Sequence, residues 1–244
     1  MTHSIIVGGT RGLGRVVARI LAVRGDVVSV IGRTNTRAAS ERRVRFYVAD
    51  VRDSAATRAA LDRLLKDGGK VNYCVFLQRY RDAGDEWDGE FHTTLTATRN
   101  IIEHIVPHFS AKADKAILAV SSVYSKYAGD SQGVSYHVAK AALDQMMRYY
   151  ALTLGPKRIR VNSIMPSTFL KDESRSYYER NKQLRQLLEK ITPLNRIGTA
   201  DDCANVIAFL CSPQASFVTG QSLMVDGGLS LHWPESLARR IQKI

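Results

Sequence analysis

The chain contains no run near the roughly 18 consecutive apolar residues that cross a bilayer, so no membrane span is expected. Cysteine is scarce: Cys74, Cys203 and Cys211 are the only three in 244 residues, and they are scattered. That leaves no disulfide framework and no metal-ligand spacing, so no metal site is expected, and the thiols read as free groups in a reducing compartment. A charged leader with an apolar stretch and a small-residue cleavage site is missing, because the chain enters the apolar run Ser4-Ile5-Ile6-Val7 almost at once. Secretion is therefore not expected, and the cytoplasm is the expected location. Linkers, internal repeats and low-complexity segments are absent as well, so residues 1–244 are read as a single domain.

What the chain has in excess is positive charge, a formal +12. Nucleic-acid binders concentrate such charge in a tail or in a motif interleaved with aromatics. Here it is spread out, apart from one cluster of Arg33, Arg37, Arg42, Arg43 and Arg45 relieved only by Glu41. An anionic cofactor or substrate accounts for it better, and neither a nucleic-acid nor a membrane partner is expected.

Apolar residues make up 45% of the chain, enough for a full core, and their pattern alternates short strands with helices. Strands are expected at 5–7, 27–31, 44–48, 71–77, 116–120, 160–164 and 220–225. Helices are expected from about residue 15, at 55–65, 90–109, 134–154 and 201–210. Such alternation argues for one parallel sheet covered on both faces. The charge-dense stretch 171–190 carries Tyr177, Leu184, Leu187, Leu188 and Ile191 at helical spacing after a strand's carboxyl end, where open sheets bind ligands. It reads as a substrate lid over 171–195, or else as a plain surface helix. The tail, 232–244, places Leu237, Ile241 and Ile244 on one helical face, to cover the protein's own edge or a partner subunit.

Two stretches carry chemistry. After the first strand come Gly8, Thr10, Arg11, Gly12, Leu13 and Gly14, spaced G-x-x-x-G-x-G, and then a helix. Bare backbone there lets a pyrophosphate approach the amides and positive potential of the helix N-terminus. An NAD-specific site places a carboxylate at the end of the second strand, but this chain has Gly32 followed by Arg33. With Arg11 in the glycine turn, two guanidiniums suit a 2′-phosphate, so NADP(H) is the expected cofactor. The second stretch is Ser121-Ser122 followed by Tyr136-x-x-x-Lys140. Residues at i and i+4 share a helix face, and an ammonium beside a phenol favours the phenolate. With a serine hydroxyl to hold a carbonyl oxygen, this equips the protein to reduce a ketone or oxidise an alcohol.

With these pieces in order, the chain resembles the short-chain dehydrogenase/reductase family over nearly all of residues 5–230. The matching residues are the glycine turn, Asp50-Val51, Ser122, Tyr136-x-x-x-Lys140, Val161-Asn162-x-Ile164-x-Pro166 and Val218-Thr219-Gly220-Gln221…Val225-Asp226-Gly227-Gly228. The resemblance implies a Rossmann-type, doubly wound sheet of seven parallel strands, a nicotinamide cofactor and a homodimer or homotetramer. It gives Tyr136 the proton transfer, Ser122 the carbonyl oxygen, and Lys140 both the tyrosine and the nicotinamide ribose. Asp50 and Val51 would lie beside the adenine, with Pro166 also in the cofactor site. Three departures stand out. Phe76-Leu77-Gln78-Arg79 replaces Asn-Asn-Ala-Gly, Thr94 takes the place of a helix asparagine that supports the proton relay, and Ser167 that of a glycine. Arg79 is then either a ligand for phosphate or substrate or a surface arginine. Together with Arg81, Arg175, Arg180 and Arg185 it favours an anionic substrate. The altered support leaves a second reading, a dinucleotide-binding regulator or scaffold with weak or no catalysis.

Overall fold

The computed structural model describes residues 1–34 and 43–242; Arg37, Arg42 and Ile244 lie outside the described residues. The first half runs β1 (His3–Val7), α1 (Gly12–Arg24), β2 (Val27–Gly32), β3 (Val44–Val48), α2 (Ser54–Gly68) and β4 (Tyr73–Phe76). Next come α3 (Glu86–Phe91), a π-turn at His92–Thr96, α4 (Ala97–Ile105), β5 (Ala116–Val120), α5 (Val134–Leu154) and β6 (Arg160–Pro166). The chain finishes with β7 (Phe169–Leu170), α6 (Asp172–Arg180), α7 (Lys182–Ile191), β8 (Gly198–Thr199), α8 (Ala200–Leu210), β9 (Ser222–Val225) and α9 (Pro234–Gln242).

Seven parallel strands form one sheet in the order β3-β2-β1-β4-β5-β6-β9. The order reverses between β1 and β4, and a crevice opens there at the strands' carboxyl ends. Side chains alternate across the sheet. Ile5 and Val7 of β1 face the cluster with Leu61, Ile101, Ile105 and Met147. Ile6 faces the other cluster, with Val17, Leu21 and Ile207. Each strand is thus apolar on both faces, as a covered parallel sheet requires. All three cysteines are buried and free; burial pushes the thiols of Cys203 and Cys211 up to about 12, so they are inert.

Several elements differ from the sequence expectation. The helix expected at 90–109 begins four residues earlier, where the Asp85 carboxylate accepts from the amides of Trp87 and Asp88. It is then interrupted by the π-turn, whose extra residue per turn buries Thr93 and Thr94. The strand expected at 71–77 shortens to β4, with Val71 making only an isolated bridge to Phe109. Residues 171–190 form two helices because Asn181 donates its side-chain amide to the Tyr177 carbonyl (2.8 Å) and ends the first. The β7–β8 pair had no counterpart in the expectation. The tail helix α9 packs on the chain's own α7, and Lys190 Nζ donates to the Ile241 carbonyl at 2.6 Å.

Helix α8 starts at a reciprocal cap. Asp202 accepts from the backbone and hydroxyl of Thr199 and makes a two-pronged pair with Arg196 at 2.6 and 2.8 Å. The Arg196 guanidinium holds this carboxyl well below the usual carboxylate range. A depressed folded pKa contributes stability above the unfolded value near 3.9, and that stability is lost as pH falls. Asp202→Asn is therefore expected to cost about 1 kcal/mol at pH 7, lowering the melting temperature by about 2–4 °C. Melting curves below about pH 4 should show the two proteins converging.

Candidate active site

A cleft of about 700 Å³ lies at the carboxyl ends of the central strands. One wall is the glycine turn, with Gly8, Thr10, Arg11, Gly12, Leu13 and Gly14 all facing it. The other wall brings Ser122, Tyr136 and Lys140 together, while Arg33, Asp50, Val51 and Pro166 line the remaining sides.

The glycine wall fits a dinucleotide's phosphates on its own geometry. Gly8 has φ +84, and a Cβ there would fall 2.7 Å from the Gln78 amide nitrogen. A Cβ on Gly14 would fall 2.4 Å from the Gly8 carbonyl oxygen. The turn is thus packed backbone to backbone, which only glycine permits. Arg11, the N-cap residue of α1, offers no side-chain cap and the first turn carries no acidic residue, so the leading amides of the helix are left for a ligand anion. Beside it, the buried Oε1 of Gln78 has no hydrogen-bond partner, while its amide nitrogen bonds Thr98 Oγ1 at 2.7 Å. That orphan acceptor suits a hydroxyl or amide donor of a bound nucleotide.

The side of the cleft around Arg33 and Asp50 is more committed than the sequence suggests. Arg33 is paired with both oxygens of Asp82, at 2.5 and 2.6 Å. Arg52 bridges Asp82 (2.7 Å) and Asp50 (2.8 Å), and its hydrogen bond holds the Asp50 carboxyl below the usual range. Arg11 makes no ion pair among the described residues. Neither Asp82 nor Arg52 was singled out from sequence; Asp82 lies 49 positions from its partner Arg33.

On the opposite wall the serines divide their duties. Ser121 donates to the buried carboxylate of Asp144 at 3.0 Å, and Asp144 also accepts from Ser163 at 2.6 Å. Ser122 accepts from the Tyr124 amide at 3.2 Å, which leaves its own hydroxyl hydrogen free to donate into the cleft. Lys140 is 3% exposed; its ammonium donates to the Val120 carbonyl at the end of β5 (2.9 Å) and stands 5.6 Å from the centre of the Tyr136 ring. Tyr124 meets that ring edge-on at 6.5 Å. The Arg79 guanidinium lies over it at 4.7 Å while bonding to Gln132.

Of the five arginines expected near the mouth, Arg79 and Arg81 line the cleft. Arg175, Arg180 and Arg185 do not. They are exposed, Arg180 bonds its own helix, and Arg185 pairs with Glu189. Helical periodicity places a residue on a face but does not say which face meets the cleft. Lys171, Glu173, Ser174 and Tyr178 line it instead. Burial, with Arg79 and Arg11 nearby, pulls the Arg81 pKa down; burial, with Arg81 and Arg79 nearby, does the same for Lys171. The Glu173 carboxylate reaches across to within 3.2 Å of where a Gly12 Cβ would stand. Among the described residues, no cluster of His, Cys, Asp or Glu is arranged to hold a metal ion, and no helix is long and apolar enough to cross a membrane.

Comparison with known proteins agrees with this geometry. A family profile described as enoyl-(acyl carrier protein) reductase matches residues 7–230. An L-rhamnose 1-dehydrogenase (NAD(P)(+)) of Azotobacter vinelandii is 31% identical, over 92% of this chain and 95% of its own. A D-erythrulose reductase of Gallus gallus is 30% identical over 93% and 94%. In three dimensions, the ligand-free aldohexose dehydrogenase of Thermoplasma acidophilum superposes with a TM-score of 0.86 at 24% identity, covering 96% of this chain and 95% of that one. A short-chain type dehydrogenase/reductase from Mycobacterium ulcerans gives 0.84 at 26% identity, covering 95% and 90%.

Proposed function

The chain belongs to the short-chain dehydrogenase/reductase family, and from that premise we propose that it is an NADP(H)-dependent oxidoreductase interconverting a carbonyl and a secondary alcohol on an anionic small molecule. The observation that carries this reading is one cleft with Ser122, Tyr136 and Lys140 on one wall and the glycine turn on the other. A nicotinamide bound there supplies or accepts the hydride. The remaining work falls to the chain's own residues. The free hydroxyl of Ser122 donates to the substrate oxygen and fixes it. Tyr136 gives that oxygen its phenolic proton in reduction and takes one back in oxidation, and Lys140 keeps a cation beside the phenol and holds the nicotinamide ribose. Gly8, Thr10, Gly12, Leu13 and Gly14 would hold the diphosphate, Asp50 and Val51 would flank the adenine, and Pro166 would close the nicotinamide end; all line the cleft. Arg11 and Arg33 take the 2′-phosphate, Arg33 by exchanging Asp82 for it.

Support for an anionic substrate comes from Arg79, Arg81 and Lys171. They line the cleft without an ion-pair partner among the described residues and oppose one another's charge; Glu173 offsets this only in part, and a bound anion would relieve the rest. Residues 171–195 serve as the substrate lid, with Ser174, Tyr178 and Leu188 facing the cleft. We further infer a cytoplasmic protein, since its thiols are free, and a homodimer or homotetramer, since Tyr149 and Leu152 of α5 stand exposed.

The test is dinucleotide oxidation against matched anionic and neutral carbonyl compounds, with NADPH and NADH in parallel. NADPH and the anionic set should be preferred. Arg11→Ala combined with Arg33→Ala should raise the KM for NADPH at least about tenfold and leave NADH nearly unchanged. A preference for NADH in the unaltered protein would remove the 2′-phosphate assignment, and turnover of neutral compounds alone would remove the anionic one.

A further inference from the structure

Glu90 is a titratable group beside the cleft that the mechanism above leaves unused. It sits next to the last residue of α3 and is 5% exposed, with no ion pair among the described residues. Thr94 Oγ1, in the π-turn, donates to its Oε2 at 3.1 Å. Glu90 lines a second cavity of about 310 Å³, together with Glu86, Arg79, Gln132 and Ser135. Tyr136 lines both cavities, as do Arg79, Arg81, Asp82 and Gln132, so the two spaces adjoin, and Glu90 and Tyr136 line the same one. A polar space of that size holds several waters at about 30 Å³ each.

The charges facing Glu90 come from every element around it. Lys140 of α5, Arg79 of the loop after β4 and Glu86 of its own helix act on it through space, while Arg81 and Asp82 line the same cavity. Burial pushes the carboxyl up from the usual range; Lys140, the Thr94 hydroxyl and Arg79 pull it back, and Glu86 adds to the push. A carboxyl balanced in this way exchanges its proton closer to neutrality than a surface one.

We propose that Glu90 is the internal proton donor that recharges Tyr136 through water in the second cavity. This rests on the oxidoreductase reading above. In reduction, the phenolic O–H bond breaks as the substrate's O–H bond forms, and the carbonyl carbon accepts the hydride of a reduced nicotinamide. The Tyr136 phenolate then receives a proton along the water chain as the Glu90 O–H bond breaks. Glu90 regains its proton from solvent. Oxidation runs the same path in reverse. Glu90 and Thr94 therefore form a positioned relay in the segment where the sequence departs from its family.

Activity and spectroscopy test this separately. Glu90→Gln keeps the size and can still accept the Thr94 hydrogen bond. It should lower kcat at least about tenfold with KM nearly unchanged, and flatten the pH profile of kcat. Small buffer acids should partly restore its rate, and Glu90→Asp should retain the wild-type profile. Wild-type kcat across the pH range in Glu90→Gln would overturn the relay. So would equal losses in both variants without buffer rescue, the mark of a purely structural role. Independently of turnover, carbon-13 NMR of glutamate carboxyls, with Glu90 assigned by its loss in Glu90→Gln, should show its titration midpoint moving in Tyr136→Phe. An unmoved midpoint overturns the relay. Absence of turnover with every carbonyl compound sinks the oxidoreductase reading instead.

Discussion

Replacing Tyr136 with phenylalanine is expected to lower turnover by about 10²–10⁴-fold, the usual worth of a positioned acid–base group. The loss should be confined to chemistry. The ring keeps its contacts with Arg79 at 4.7 Å and Tyr124 at 6.5 Å, and the hydroxyl removed makes no hydrogen bond within the described structure. The melting temperature should therefore stay within about 2 °C, because less than about 1 kcal/mol of packing is lost. Dinucleotide affinity, measured by nicotinamide fluorescence, should change by no more than a few fold. Near-normal turnover in this variant would remove the proton role from Tyr136. A wild-type protein that binds dinucleotide and turns nothing over would favour the regulator or scaffold.

The second large effect is expected at Gly8. Alanine there meets two costs: a left-handed φ of +84, and a Cβ 2.7–2.9 Å from the backbone of Leu77 and Gln78, which cannot swing aside as a side chain can. Strain of about 1–2 kcal/mol and overpacking of about 1–3 kcal/mol together lower the melting temperature by about 5–15 °C. They also push the turn out of the shape that holds a diphosphate, so dinucleotide binding should be lost even where the fold survives. Gly25 separates the two costs. Its φ is +108 with nothing within 4 Å of an added Cβ, so Gly25→Ala should show the strain alone and keep binding intact. Equal shifts at the two glycines would mean that crowding at Gly8 contributes nothing.

How much of this was legible in the sequence depended on the range of the interactions involved. Helix α5 was expected at about 134–154 and is found at Val134–Leu154, with glycines at both ends. The glycine turn and the Tyr136/Lys140 pair were legible for the same local reason: spacing alone puts their atoms together. The π-turn at His92–Thr96 was not, since one extra residue in a turn leaves the composition of the helix unchanged. The division of 171–190 was hidden in a single side-chain hydrogen bond, that of Asn181. The resemblance already favoured Ser122, but the reason Ser121 is unavailable, its bond to Asp144 23 positions away, was not legible. The Arg33–Asp82 pair likewise depends on where β2 and the loop after β4 come to rest. Glu90 reads in sequence as one more charge at a helix start; only its burial and the cavity it shares with Tyr136 distinguish it.

The two walls of the cleft come from separate stretches, residues 8–14 and 121–140, and in genetic terms this makes two properties separable by allele. A Gly8 allele should remove dinucleotide binding and everything that depends on it. A Tyr136→Phe allele should leave the loaded protein in the cell and remove only the proposed reaction. If the two alleles have the same phenotype as deletion, the organism needs the product. If Tyr136→Phe is silent while the Gly8 allele is penetrant, the organism needs the loaded protein itself, as a sensor of its dinucleotide pool.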